Sequence, residues 1–410
     1  MTSSSHALVS EASERADAVP TRPHLLTTAF LQKILSPSPP EEDRELLVVT
    51  GVEWKPLDVG VISEVVAVTV FLCSEAQQQD GERVLERQLV AKFLRPEFPF
   101  ESMFQVESTF YTSLVLTAGG GSLASGARLP FKVPTPVFTS NSLIVLERVP
   151  STETFTCVQG CPADQITVLV SRLAQLHARF WDYDCDGLAV PAGIGSNLSG
   201  ETKQEQFPGL WTAYLDDIPL ERDDRARLVT LCEKLSVTPK LLAAAHNLVE
   251  TGPQTLIHGD YHVANVLFST NDTRANVWLL DWATCGKGNP MRDLAFFFIV
   301  SVTHADRREH EANCLQLYHE TVASERAAQE ELLSLTEWTR HYRLCVLNQF
   351  LILVVYDHLS KHLAANAKTD KLRGELDAHF RTVNLRACLS VLDNWCGRDD
   401  ALELLLQSSL

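Results

Sequence analysis

Basic charge is scarce in this 410-residue chain: 35 Lys and Arg stand against 52 Asp and Glu, a net charge of −17. A sequence-independent nucleic-acid binder needs a basic face to meet phosphates, so that class is excluded. Docking on anionic membrane surfaces is disfavoured for the same reason. Long apolar runs are also missing. The longest, Leu294 to Val302 and Phe350 to Tyr356, are too short to span a bilayer, so no membrane partner is expected. Met1 to Pro20 is rich in Ser, Ala and Glu and has no apolar h-region, so no secretory leader is read and a cytoplasmic protein is expected. Ten cysteines are present, but their irregular spacing lacks the paired pattern of a structural zinc site or a disulfide framework. They read as reduced thiols, the close pair Cys157 and Cys161 included.

What is present is enough chain for two packed lobes. Residues 1–22 lack periodicity and are expected to be a disordered tail. A short helix is predicted from His24 to Leu35, followed by the breaker segment Ser36 to Glu42. Leu46 to Val52, Leu57 to Cys73 (with a turn at Gly60) and Gln88 to Leu94 read as strands, the last two rich in β-branched or apolar residues. Phe104, Val106, Phe110 and Leu114 have helical spacing. Leu143 to Glu147, LIVLE, reads as a further buried strand. These elements define an N-terminal lobe, residues 23–150. From 151 to 410 the pattern turns mostly helical. Ala163 to Trp181 places Ile166, Leu169, Val170, Leu173, His177 and Phe180 on one face. A loop-rich stretch is expected from Asp182 to Phe207, helices from Leu210 to Glu250, short strands around a polar loop from Thr255 to Trp282, and helices from Met291 onward.

The densest chemical signal is HGDYHVANVLF, His258 to Phe268. An apolar LIH enters a turn at Gly259. Asp260 follows, and Asn265 stands five residues later. After a polar turn, VWLLDW returns as a strand ending in Asp281. The arrangement suits phosphoryl transfer, where catalysis is positioning plus electrostatic stabilisation. Magnesium takes oxygen ligands, with only one or two from the protein. Asn265 and Asp281 can supply them from neighbouring strand ends. Asp260 can accept the proton of an attacking hydroxyl.

The spacing from Asp260 to Asn265 is that of the protein-kinase catalytic loop. The form HGDxHxxN followed by an Asp-Trp pair resembles the aminoglycoside phosphotransferase and choline kinase superfamily. LAQLHARFWD, Leu173 to Asp182, is similar to the ecdysteroid-kinase-like branch. This resemblance, over roughly residues 46 to 300, implies an α+β, protein-kinase-like fold. Its parts are a small antiparallel sheet with one main helix and a larger, mostly helical C-terminal lobe. It implies ATP and Mg²⁺ as cofactors and a small-molecule hydroxyl as acceptor. It further implies that Lys92, in VAKF, contacts the α- and β-phosphates and that Glu107 is its ion-pair partner, with Glu101 the alternative. Gly60 and Ser63 would lie in the turn over the phosphates. Leu143 to Val149 would be the hinge, with the backbone of Glu147 and Val149 at the adenine edge.

The chain departs from protein kinases at three points. Gly259 replaces the arginine of H-R-D, Trp282 and Ala283 follow Asp281 in place of Phe-Gly, and no A-P-E segment is present. These favour a small-molecule kinase over a protein kinase. The competing expectation is a nucleotide-binding module without turnover, for which the single glycine of the Gly60 turn is the main argument. A hydrolase carboxylate pair, Asp260 with Asp281, leaves Lys92 and Asn265 unexplained. His258 is expected to hold the loop by hydrogen bonds, His262 to do the same or to meet phosphate, and His177 to be a core histidine. Asp293 is expected to cap the helix that follows it, Trp282 and Phe296 to Phe298 to be core. Asp216, Asp217 and Glu221 could meet a cationic acceptor, and Trp211, Tyr214, Trp338 and Tyr342 an apolar one. Each of these is more simply ordinary surface or core. Neither the acceptor nor the oligomeric state is readable.

Overall fold

The computed structural model describes residues 18–36, 47–57, 63–74, 85–95, 101–116, 129–150, 152–181, 183, 185, 188, 201–237, 240–270, 276–326, 332–367 and 369–397. The chain divides into two compact units. Residues 1–126 and 133–151 form the first, and residues 127–132 and 152–410 the second.

The first unit is built on a five-stranded antiparallel sheet of β1 (Leu47–Pro56), β2 (Ser63–Ser74), β3 (Leu85–Leu94), β4 (Pro136–Thr139) and β5 (Leu143–Glu147), ordered β1-β2-β3-β5-β4. Side chains alternate across a strand. That alternation sends Val66, Val68, Val70, Leu89, Ala91, Phe93, Leu143 and Val145 to one face. There they pack with Leu26, Phe30 and Leu31, the last two from α1 (Thr28–Leu35). Thr27 caps α1, its hydroxyl accepting from Phe30 N–H at 3.1 Å. By the same period, Lys92 points to the opposite face of β3. There α2 (Glu101–Phe110), extended by a π-helical stretch Tyr111–Leu116, buries Phe104, Val106, Glu107 and Phe110.

The second unit opens with β6 (Thr152–Glu153) and the amphipathic α3 (Ala163–Arg179). Three helices follow, α4 (Glu201–Asp216), α5 (Arg222–Ser236) and α6 (Leu241–Glu250). The chain then makes four short strands: β7 (Thr255–Ile257), β8 (Val266–Ser269), β9 (Val277–Leu279) and β10 (Gly286–Gly288). They pair as β6-β8-β9 and β10-β7. Among the described residues the helices that follow are α7 (Met291–Ser301), α8 (His304–Glu325), α9 (Leu335–Ala365) and α10 (Asp370–Asn394).

The antiparallel sheet with its main helix and the helical second unit are the α+β architecture expected. Two details differ. Ser63 is the first residue of β2, buried and paired with Leu94, so it belongs to the strand and not to the turn before it. Gly60 and its turn lie outside the described residues. In addition α9 is long and apolar enough, by length and composition, to cross a membrane, although its longest uninterrupted apolar run is short. Its Trp338, Tyr342, Val346, Leu347, Phe350, Leu351 and Val354 are buried within the unit, where it packs on α6, α7 and α10.

Candidate functional site

In the second unit the site begins at Gly259. Its φ of +81° is left-handed, and a Cβ there would lie 2.3 Å from Thr284 O. Only glycine takes both the conformation and the close approach without strain. The turn is fastened by Asp293 in α7. Its buried carboxylate accepts from His258 N–H at 2.7 Å and Gly259 N–H at 2.8 Å, and it meets His177 Nε2 at 3.3 Å. Burial opposes that charge, but His177, His258 and the donated N–H hold the carboxyl below its ordinary value. Asp293 therefore does not cap its own helix, whose N-cap is Pro290. It ties the loop to the core. His177 is the core histidine expected, its Nδ1 2.9 Å from Tyr318 Oη.

The His258 ring is buried. Burial lowers its pKa, against the pull of Asp293 and Asp260. The neutral ring donates from Nε2 to Leu280 O at 2.9 Å and accepts the Asp260 N–H on Nδ1 at 3.3 Å. It packs edge-on against Trp282 at 4.7 Å. These contacts fix the backbone on both sides of Asp260 and hold the 280s segment beside it.

Asp260 then presents a carboxylate 36 % exposed. Asn265 reaches back with its amide nitrogen to Asp260 O at 3.0 Å and Oδ2 at 3.3 Å. With the nitrogen spent on Asp260, the oxygen of Asn265 is the end left for a cation. Leu280 N–H donates to Asn265 O at 2.9 Å, so the backbones leading to Asn265 and Asp281 run side by side. Asp281 has φ +61°, a conformation uncommon for a residue with a Cβ and typical of functional turns. One amide oxygen and one carboxylate suit magnesium, which keeps most of its shell as water and phosphate oxygens. Among the described residues no group of three or more His, Cys, Asp or Glu gathers as a metal cage.

His262 stands with Nε2 3.4 Å from Asp260 Oδ2. Burial disfavours the charged ring, but Asp260 and then Cys157 outweigh it and hold its pKa well above the ordinary value. Burial likewise opposes ionisation of Asp260, yet His262 and Asn265 bring its carboxyl down to about 2. The Cys157 thiol faces both His262 and His379. They overcome its burial and lower it to about 6. From the sequence Cys157 reads only as an ordinary thiol of the close pair with Cys161, and nothing marks His379. The pairing of Cys157 with His379 joins residues more than 220 positions apart, and no local spacing announces it.

In the first unit Lys92 Nζ lies 2.5 Å from Glu107 Oε2, with side-chain exposures of 13 % and 2 %. The partner is thus Glu107. Glu101 is exposed and bonded to Gln105. At the end of β5, Glu147 N–H donates to Thr135 O at 2.8 Å, and its carboxylate accepts from Arg87 Nε at 2.9 Å. Any adenine contact there falls to the Glu147 carbonyl and to Val149, whose N–H makes no backbone hydrogen bond to another described residue.

All but one of the residues considered for the acceptor are paired or buried elsewhere. Asp216 pairs with Arg225 at 3.1 Å, and Lys361 pairs with Asp217 and Asp357. Glu221 is exposed at the start of α5. Trp211 donates to Ser236 Oγ at 2.9 Å, and Tyr214 and Trp338 are core. Tyr342 is buried with its hydroxyl on Glu311.

Several solved structures resemble this one. The choline kinase of Cryptosporidium parvum superposes with TM-score 0.50 at 10 % identity, covering 87 % of this chain and 92 % of that one. A microcompartment-associated aminopropanol kinase gives TM-score 0.45 at 14 % identity over 88 % and 94 %. An amicoumacin kinase gives TM-score 0.43 at 12 % identity over 81 % and 87 %. At these identities the likeness establishes the fold, and the first of them carries it. No curated protein matches the chain. Residues 136–379 match the DUF1679 family, described as uncharacterized oxidoreductase dhs-27. With that match over more than half its length, the chain belongs to DUF1679, the ecdysteroid-kinase-like family.

Proposed function

We propose that this protein transfers the γ-phosphate of ATP to a hydroxyl of a small organic molecule, with Asp260 as the base. The observation that carries the reading is the Asp260 loop. It holds one ionised, partly exposed carboxylate against an amide whose oxygen is free for a cation, with Asp281 on the adjoining backbone. Asp260 orients the acceptor hydroxyl and takes its proton as the phosphoryl group moves. Asn265 and Asp281 would hold Mg²⁺, which when bound neutralises charge on the triphosphate. Lys92, kept in place by Glu107, would grip the α- and β-phosphates. Val149 and the Glu147 carbonyl would meet adenine. Ser63, buried at the start of β2, is better placed to support the phosphate turn than to touch phosphate.

The family description names an oxidoreductase. A dinucleotide-binding fold rests on an open parallel sheet, whereas the five-stranded sheet here is antiparallel throughout. The kinase reading accounts for Lys92, Glu107, Asp260, Asn265 and Asp281 together.

The test is purified protein with γ-labelled ATP and Mg²⁺ across a panel of amino alcohols, sugars, sterols and hydroxylated drugs. Label on a small-molecule hydroxyl is the expected result. Tight Mg-ATP binding with no labelled product would favour a non-catalytic nucleotide-binding module. Label on protein alone would favour a protein kinase.

A further inference from the structure

His262 lies within the catalytic motif, and phosphoryl transfer as outlined above assigns it no task. Its surroundings do. Its backbone precedes a single 3₁₀ turn, Val263–Asn265. That turn is anchored by Val263 N–H to Ser301 Oγ at 2.8 Å and by Asn265 N–H to His262 O at 3.0 Å. The ring is flanked by Phe296, 6.1 Å between centroids. Its Nδ1 is buried and makes no hydrogen bond of ordinary geometry, while the Cys157 thiol acts on the ring electrostatically. The turn carrying Cys157 is itself fixed. Arg386 Nη1 donates to Cys157 O at 2.6 Å and Val300 O at 2.9 Å, and Cys161 N–H donates to Ser301 O at 2.6 Å. The imidazole is therefore held from several sides with Nε2 aimed at Asp260.

The consequence falls on the two carboxylate oxygens of Asp260. Oδ2 accepts from Asn265 Nδ2 at 3.3 Å and lies 3.4 Å from His262 Nε2, an ion-pair contact of the protonated ring, with the same Asn265 nitrogen 3.3 Å from Nε2. Oδ1 receives no hydrogen bond from any described side chain. The terminal torsion of an Asp side chain is broad and roughly two-fold, so one weak contact from Asn265 leaves the carboxylate free to rotate. A second donor on the same oxygen removes that freedom.

The geometry points to His262 as the positioning residue of the base: it engages Oδ2 of Asp260 together with Asn265 and so presents Oδ1 to the acceptor hydroxyl. This inference rests on the phosphotransfer reading. It assigns His262 no contact with phosphate, so its loss affects turnover and spares nucleotide binding. A side chain that only filled space would be replaceable by any group of similar size.

The test needs no identified acceptor, because Mg-ATP with water as acceptor reports the base. Full-length wild type, Asp260→Asn, His262→Phe and His262→Gln are compared for hydrolysis, for the KM of Mg-ATP and for melting temperature. Phe keeps the contact with Phe296 but has no donor, whereas Gln restores one. We expect His262→Phe to lower kcat about tenfold or more, the scale of a misplaced reacting group, with KM within about threefold. His262→Gln should recover most of the loss. Unchanged kcat in His262→Phe, a matching rise in KM, or no recovery with Gln while Asp260→Asn is inactive would overturn the role of His262 and leave the kinase reading standing. Equal, background-level hydrolysis in wild type and Asp260→Asn would overturn both.

Discussion

The loop from His258 to Asn265 and the helices α4 to α6 are both rich in polar and aromatic side chains, and they use them in opposite ways. In the loop, the polar contacts end on Asp260 or on the backbone that carries it. Asp293 holds His258 and Gly259, His258 holds Asp260 N–H, and Asn265 holds its carboxylate. In the helices the polar groups are spent on one another or on another helix. Asp216 is taken by Arg225, Asp217 by Lys361 and Trp211 by Ser236. The difference teaches that a conspicuous residue type marks chemistry only where its polar atoms stay unspent and its neighbours exist to aim it.

Substitutions on the two sides of that comparison should separate sharply. Asp293→Ala, at a buried residue assigned no contact with substrate, should be the most damaging to stability. It strands two N–H groups and His177 in the core. Loss of one partner from a buried charged pair costs about 3–5 kcal/mol, read by denaturant unfolding. The same group carries a pH signature. Its folded carboxyl titrates below its ordinary value, so its stabilisation is complete above the unfolded pKa and is lost as pH falls through the folded one. The gap between wild type and Asp293→Ala should thus be wide at neutral pH and narrow below about pH 4. A constant gap would show that Asp293 acts by packing and not by charge.

Gly259→Ala should follow, through the clash with Thr284 O and the left-handed backbone. A cost of about 1–3 kcal/mol is expected for such strain, with phosphotransfer falling further than stability because the loop itself shifts. Ser334→Ala should come next. Ser334 caps α9 in a capping box with Glu337, and a lost cap costs about 1 kcal/mol without reaching the site. Asp217→Asn should be smallest. Its partner Lys361 is half exposed, and such pairs contribute about 0–1 kcal/mol. A large loss of turnover in Asp217→Asn would break the comparison, since that carboxylate would then be binding the acceptor.

The same contrast explains how much was legible beforehand. The loop was readable because its parts lie within eight residues, and Asp281 because a strand returns it close by. Lys92 with Glu107 was readable because a strand and the helix after it are separated by one connection. β4 was not foreseen. It begins at Pro136, shortly after Pro134, and prolines read as breakers although an edge strand tolerates them. Helix α4 runs from Glu201 through Pro208, where Thr212 Oγ donates to the Pro208 carbonyl at 2.7 Å, so it starts before Leu210 and carries inside it a proline, ordinarily a helix breaker. Asp293 was expected to cap its own helix, since its real targets lie 34 and 35 residues away. Cys157 meets His262 across more than 100 residues of chain, and His379 and Arg386 reach Cys157 across more than 220. Only tertiary packing brings such groups together, and no periodicity records it.

The most direct measurement pairs calorimetric Mg-ATP binding with single-turnover phosphotransfer for Asp260→Asn and Asp281→Ala. Asp260→Asn should bind Mg-ATP as wild type does while transfer falls about 10²- to 10⁴-fold, and Asp281→Ala should lose the part of the affinity that depends on magnesium. Wild-type transfer by Asp260→Asn, or magnesium-dependent binding untouched in Asp281→Ala, would contradict the assignment of base and metal ligand.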